Sequence, residues 1–393
     1  MKYPSSPRRV SAFSAVFLLA VFSCAGTPAG NSAAAGTDGT TNRLTLVATG
    51  DNLYHDILFR PNPQGVRDFS GYYLPVKPII QSADIAFVNQ ETVFAGEAAG
   101  FSGYPRFNTP WEAGLALVQT GFNVVNQATN HTMDRGEAGV LSTLDYWDTV
   151  PGITVTGAYR SQEDRDSPAI IEMNGIKTGF LSYTYGTNGL PVPAGKPWLV
   201  ALIDKAVMER EINALRPRCD FLVVSVHWGS EYTHTPEAGQ RDLAAFMASL
   251  GVDLVIGHHP HVLQPMESIP KSGGGQTVVA YSLGNFISAQ TNNNRLLGGI
   301  LYAEVVKNGT GVSIEKSGII PVVTHYESGF ANIGVYPLDD YTPQLAARHR
   351  NAVNRDLGFY EISVDYFKNL ARNVLQDSIL DYRQIGKSTN PAT

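Results

Sequence analysis

Three of the chain's nine histidines, His258, His259 and His261, fall within four positions of one another in VIGHHPHV, directly after an apolar run. Neutral imidazole is a ligand for Zn²⁺, Mn²⁺ and Fe²⁺, and Pro260 stiffens the turn that presents His259 and His261. Other apolar runs end in residues of the same kind. Asp51 follows LTLVATG, Asn89 and Glu91 lie in FVNQE, and Asn130 and His131 close QATNH; His227 and Glu231 lie in SVHWGSE, and Asn285 in YSLGNF. If these ends converge, Asp51, Glu91, Asn130, His227, His259 and His261 supply enough oxygen and nitrogen donors for one divalent ion, or for two sharing a bridging carboxylate. Such a site would polarise water and offset charge on a substrate. His131, next to Asn130, is placed as a general acid or a hydrogen-bond donor. Asn89, Glu231, His258 and Asn285 are candidates for orienting the ligands or touching the substrate. His234 reads as a hydrogen-bonded structural residue, and His325 and His349, outside the pattern, as surface residues.

These ends converge only if the elements carrying them are parallel strands. Leu44–Asp51, Ala83–Thr92, Asn123–His131, Phe221–Glu231, Val252–His261 and Thr277–Phe286 each contain a short apolar run rich in β-formers, as buried strands do. Helical patterns lie between several of them. One starts at Thr109–Pro110 and stops at Gly121, one covers Asp204–Arg216, and one runs from Thr235–Pro236 to Gly251. Strands alternating with helices predict an α/β fold of mixed, largely parallel sheets flanked by helices, in which loops leaving the strand C-termini share one rim.

Composition narrows the class without naming it. The chain has 393 residues, a net charge of −6 and no long basic run, so nothing points to nucleic acid. Lys2, Arg8 and Arg9 precede the apolar stretch Val10–Phe22, and VFSCAG follows. This is the pattern of a secretory signal, and it resembles a bacterial lipoprotein signal with Cys24 as the lipidated residue. The expected organisation is a signal at 1–24, a Gly/Ala/Thr-rich linker at 25–42, a main domain at 43–330 and a C-terminal helical extension at 331–393. The protein is expected to be exported to the cell envelope and anchored through Cys24. The remaining cysteine, Cys219, leaves no disulfide framework and reads as a small residue at a strand entrance.

The ordered set GD, N-x-E, TNH, H-W-G-x-E, GHHPHV and SLGNF, from about Arg43 to about Val323, resembles the CapA family of capsule synthesis proteins (the PGA_cap domain). That family is associated with poly-γ-glutamate capsules and related to the calcineurin-like metallophosphoesterases. The resemblance implies a metallophosphoesterase-like layered fold and one or two divalent ions (Mn, Zn, Fe or Mg). It matches Asp51 to the first aspartate, Glu91 to the bridging carboxylate, Asn130 and His131 to the Asn-His pair, His227 to the lone histidine, and His259 and His261 to the closing H-x-H. The first motif departs from the family's D-x-H. Leu53 stands third in DNL, and His55, two residues on, is the candidate replacement.

Three functions follow as expectations. The chain is a metal-dependent hydrolase acting on an anionic surface polymer or its precursor, a binding component of a capsule export assembly without turnover, or an exported phosphatase or nucleotidase. A capsule role calls for membrane-embedded synthesis or export partners.

Overall fold

The structure is a computed structural model that describes residues 41–62, 64–353 and 362–385. The signal, Cys24 and most of the linker lie outside the described residues.

Two sheets carry the fold. The first begins with four parallel strands, β1 (Asn42–Asn52), β2 (Ile85–Gln90), β3 (Val124–Asn126) and β4 (Thr154–Thr156). The chain then builds the second sheet from β5 (Ile170–Met173), β6 (Ile176–Thr184), β7 (Phe221–His227), β8 (Leu254–His258), β9 (Met266–Pro270) and β10 (Gln276–Ala280). Its order is β5-β6-β7-β8-β10-β9, with β6, β7, β8 and β10 parallel and the two edge strands antiparallel. The chain then returns to the first sheet with β11 (Asn285–Ile287), β12 (Leu297–Asn308), β13 (Gly311–His325) and β14 (Gly334–Pro337). There β11 pairs parallel with β1, while β12, β13 and β14 extend its other edge in antiparallel fashion. This is the mixed, largely parallel α/β architecture that the sequence pattern predicts.

All six apolar runs contain strands, but the sixth holds two, β10 and β11, in different sheets. The chain crosses between the sheets at Tyr281–Gly284, where Leu283 N–H donates to the Gly257 carbonyl at 3.2 Å and Asp51 N–H to the Gly284 carbonyl at 2.8 Å. Glycine is required on both flanks of this crossing. A Cβ at Gly50 would overlap the Gly284 carbonyl oxygen, and one at Gly257 the Tyr281 carbonyl oxygen.

Helix starts follow the chemistry of their first residues. Asp204 caps helix Lys205–Leu215 by accepting from Ala206 and Val207 N–H. The next helix, Ala238–Ser249, starts later than the Thr-Pro signal predicts, because Glu237 and Gln240 close a reciprocal capping box. Helix Trp111–Thr120 ends at Gly121, whose φ of 119° terminates it without a Cβ clash. Leu46, Ile85 and Phe87 of the first sheet pack with Phe180, Val223, Leu254 and Ile256 of the second, so one core joins the two sheets. Helix Val364–Leu375, capped by Ser363, adds Phe367, Ala371, Val374 and Leu375 to that core.

His325 and His349 are buried, contrary to the surface expectation, with 1% and 0% exposure. Their rings lie 5.4 Å apart among Tyr326, Tyr336 and Tyr341, with Glu327 and Arg350 nearby, and His325 Nδ1 lies 2.9 Å from Tyr341 Oη. Burial, with the neighbouring His325, lowers His349 from 6.5 to about 3. Above pH 6.5 the group is neutral whether folded or unfolded. Below it the unfolded chain takes up a proton that the fold refuses, so stability falls as pH falls, by about 1.4 kcal/mol per unit. The variant His349→Gln is therefore expected to flatten the urea-unfolding stability profile by about that slope between pH 6 and 4. An unchanged profile would remove His349 from the acid response.

Candidate metal centre

The C-terminal ends of β1, β2 and β3 from one sheet meet those of β7 and β8 from the other. Along the first sheet, Asp51, Asn89 and Asn126 sit in register and bond side chain to side chain. Asn126 donates to Asn89 Oδ1 at 2.6 Å, and Asn89 donates to Asp51 Oδ1 at 2.8 Å. This relay fixes the Asp51 carboxylate from behind. His261 Nδ1 lies 2.9 Å from Asp51 Oδ2 and 3.1 Å from Asn285 Oδ1. Backbone strain accumulates on the same loop, where His259 has φ 98° and His261 φ 57°, both in the region that favours glycine.

Two donor groups emerge among the described residues, each with ligand atoms within 4.8 Å of one another. One is Asp51, Glu91 and His261; the other is Glu231, His259 and His261. His261 belongs to both. His227 Nε2 lies 3.7 Å from Glu91 Oε1 and 3.0 Å from Asn130 Oδ1, so these two residues border the first group. His131 stands at the rim with Nδ1 2.8 Å from Asp134 Oδ2, and its ring packs edge-on against Phe107. His258 is fully buried behind Asp51, at 3.7 Å, and stacks on Phe87. Glu231, expected to orient a ligand or touch the substrate, instead falls with His259 and His261 in a donor group.

A divalent cation fits this donor set. Both Glu91 carboxylate oxygens, His227 Nδ1 and His259 Nδ1 are buried without a hydrogen-bond partner. Such groups are costly to bury unless an ion or a donor satisfies them. Burial pushes the Glu91 carboxyl well above the usual range, and pushes His227 well below and His259 down to about 4. Burial also works against the Asp51 carboxylate, but the hydrogen bond and charge of His261 hold it below its ordinary value. His261 rises to about 9 despite its burial, because Glu91 and Asp51 face it. A bound cation would favour the ionised Glu91 and the deprotonated His261, so its uptake would release protons.

Residues 45–290 match the family described as bacterial capsule synthesis protein PGA_cap. The chain belongs to the PGA_cap family. This PGA_cap chain is 32% identical over 202 residues to PGA biosynthesis protein CapA of Bacillus subtilis (strain 168), a stretch covering 51% of each. It is 29% identical over 201 residues to capsule biosynthesis protein CapA of Bacillus anthracis, covering 50% of this chain and 47% of that one. The chain thus spans about half the length of the curated relatives it matches. Among solved structures it is similar to Haemophilus influenzae NAD nucleotidase (NadN), with TM-score 0.44 and 12% identity over 85% of this chain and 60% of that one. It is also similar to the calcineurin-like phosphoesterase YfkN from Bacillus subtilis, with TM-score 0.42 and 15% identity over 84% of this chain and 100% of that one.

The PGA_cap chain's departure at Leu53 is structural as well as sequential. Leu53 is buried, with 2% exposure. His55 does not take its place, since its Nδ1 accepts from Ala289 N–H at 3.3 Å, its ring packs on Phe107, and it falls in neither donor group. Several residues at the site carry no sequence signal strong enough to single them out. Tyr185 packs on His259 at 4.6 Å, Tyr232 faces His261 at 6.1 Å, and Asn188 accepts from Asn130 at 3.3 Å. Asp134 was findable, three residues after His131 in NHTMD.

Proposed function

We propose that this chain is a divalent-metal-dependent hydrolase of the cell envelope that makes or processes poly-γ-glutamate or another anionic surface polymer, or its precursor. The observation that carries this reading is Glu91. Its two buried, unpartnered oxygens lie within a group shared with Asp51 and His261, in a chain of a capsule synthesis family. Asp51, Glu91, His259, His261 and Glu231 would hold one or two ions of Mn, Zn, Fe or Mg, with His227 and Asn130 beside them. The ion would supply Lewis-acid polarisation and neutralise charge on the substrate. The chain's own groups do the rest. Asp134 accepts the Nδ1–H of His131 and so fixes the tautomer, leaving Nε2 to exchange a proton with a leaving group. Tyr185 and Tyr232 flank the donor cluster, their rings against His259 and His261. Export through residues 1–24, anchoring at Cys24 and work alongside membrane-embedded partners complete the reading.

A second reading, polymer binding within an assembly without turnover, is favoured by one feature: Leu53 stands where a ligand histidine would be, and His55 is turned to Ala289. Elemental analysis, with a generic phosphodiester and a γ-glutamyl peptide as substrates, tests both. One or two metals per chain with turnover that a chelator abolishes supports the hydrolase. Metal without turnover supports binding, and a metal-free protein rejects the site.

A further inference from the structure

Next to the donor cluster the chain holds a cation paired with no carboxylate among the described residues. Arg295 ends the single turn Asn293–Arg295 and is half-buried, with its guanidinium carbon 3.4 Å from the centre of the Tyr232 ring. Its Nε is buried without an acceptor. A half-buried guanidinium with an unused donor is unfavourable unless something anionic meets it. A phenol ring accepts the face of the cation and leaves its N–H edge as the part available for bonding.

Two routes tie this residue to the centre. The Arg295 carbonyl accepts from Asn285 Nδ2 at 3.0 Å, and Asn285 Oδ1 lies 3.1 Å from His261 Nδ1. Tyr232 faces the His261 ring, and its N–H donates to the Pro260 carbonyl at 2.8 Å. The loop bearing Arg295 is also braced from the C-terminal part of the chain. Tyr326 Oη donates to the Gln290 carbonyl at 3.2 Å, and Asn351 Nδ2 donates to Asn293 Oδ1 at 2.9 Å. Arg295 is thus held in place beside a cluster whose own side chains, Asp51, Glu91 and Glu231, would repel an anion.

We infer that Arg295, cradled by Tyr232, is a recognition residue for a pair of anionic oxygens on the substrate, a carboxylate or a phosphoryl group. The inference rests on the reading of the neighbouring cluster as the substrate site. The edge of a guanidinium matches two such oxygens in one plane, which an ammonium does not.

Calorimetric titration with inorganic phosphate and with tri-γ-glutamate, on wild type, Arg295→Gln and Arg295→Lys, tests it. Arg295→Gln should weaken at least one probe by about tenfold or more, the usual scale for a hydrogen bond to a charged group. Metal content and melting temperature should stay at wild-type values, and Arg295→Lys should recover part of the affinity. A loss confined to phosphate assigns a phosphoryl group, and one confined to tri-γ-glutamate assigns a carboxylate. Equal affinities in wild type and Arg295→Gln, or binding of neither probe by wild type, would overturn the inference. The titrations are repeated on chelator-treated protein. A wild type that holds no metal as purified and takes up none when it is added refutes the metal centre, while the comparison of variants without metal still decides Arg295.

Discussion

A variant with both His259→Ala and His261→Ala keeps its fold and loses affinity for divalent metal by at least about a hundredfold. Changing a group that merely supports a ligand already costs 10–100-fold in metal affinity. Here His261 is common to both donor groups and His259 belongs to one, so neither group retains three donors. The fold should survive both changes. Both positions have positive φ, and histidine already bears the Cβ penalty that alanine would meet. His259 gives up a ring whose Nδ1 is buried without a partner. Asp51 loses one bond but keeps the amide of Asn89 at 2.8 Å and the His259 backbone N–H at 3.3 Å. Elemental analysis and a thermal melt read both halves of the expectation. Wild-type metal content in a folded double variant would sink the assignment of the site.

Glu91→Gln is expected to act with opposite signs on stability and on binding. In the metal-free protein both Glu91 oxygens are buried without hydrogen-bond donors, next to the Asp51 carboxylate. Burial resists ionisation of Glu91 in the fold but not in the unfolded chain, so a neutral side chain of the same volume should stabilise that form by about 1 kcal/mol or more at neutral pH. Metal uptake should be lost, so the melting temperature of the variant should no longer rise when metal is added, whereas that of wild type should. A variant less stable than metal-free wild type, or one still stabilised by metal, would contradict the role given to Glu91.

Much of the frame was legible because buried parallel strands write themselves as apolar runs ending in polar residues. Asp51, Glu91, His227 and His258 were each found at or just after such an end. The antiparallel hairpin of β12 and β13 was not read, because only its distal half alternates, with Gly311–Lys316 alternating exposed and half-buried residues while Gly318–His325 is buried throughout. The split of the sixth run between two sheets depends on the contacts that Gly50 and Gly257 permit, which no local pattern reveals. Arg295 and Tyr232 were invisible for a similar reason. An arginine in an asparagine-rich loop and a tyrosine after Glu231 acquire meaning only when Asn285 and Pro260 bring them to His261. His325 and His349 were misplaced because isolated histidines carry no periodicity that distinguishes an aromatic pocket from the surface.

The pairing of β1 has a practical consequence. Leu44 lies opposite Val305 and Thr49 opposite Ile300, so one whole edge of the strand that carries Asp51 waits for residues made near the end of the chain. The family match stops at residue 290, before β12 begins at Leu297. A fragment cut at that boundary would leave β1 with a row of unsatisfied backbone groups, a template for intermolecular pairing and aggregation. During synthesis the same order keeps the nascent chain from closing its first sheet until β12 has been made. The segment that homology alone would trim is the one that completes the sheet.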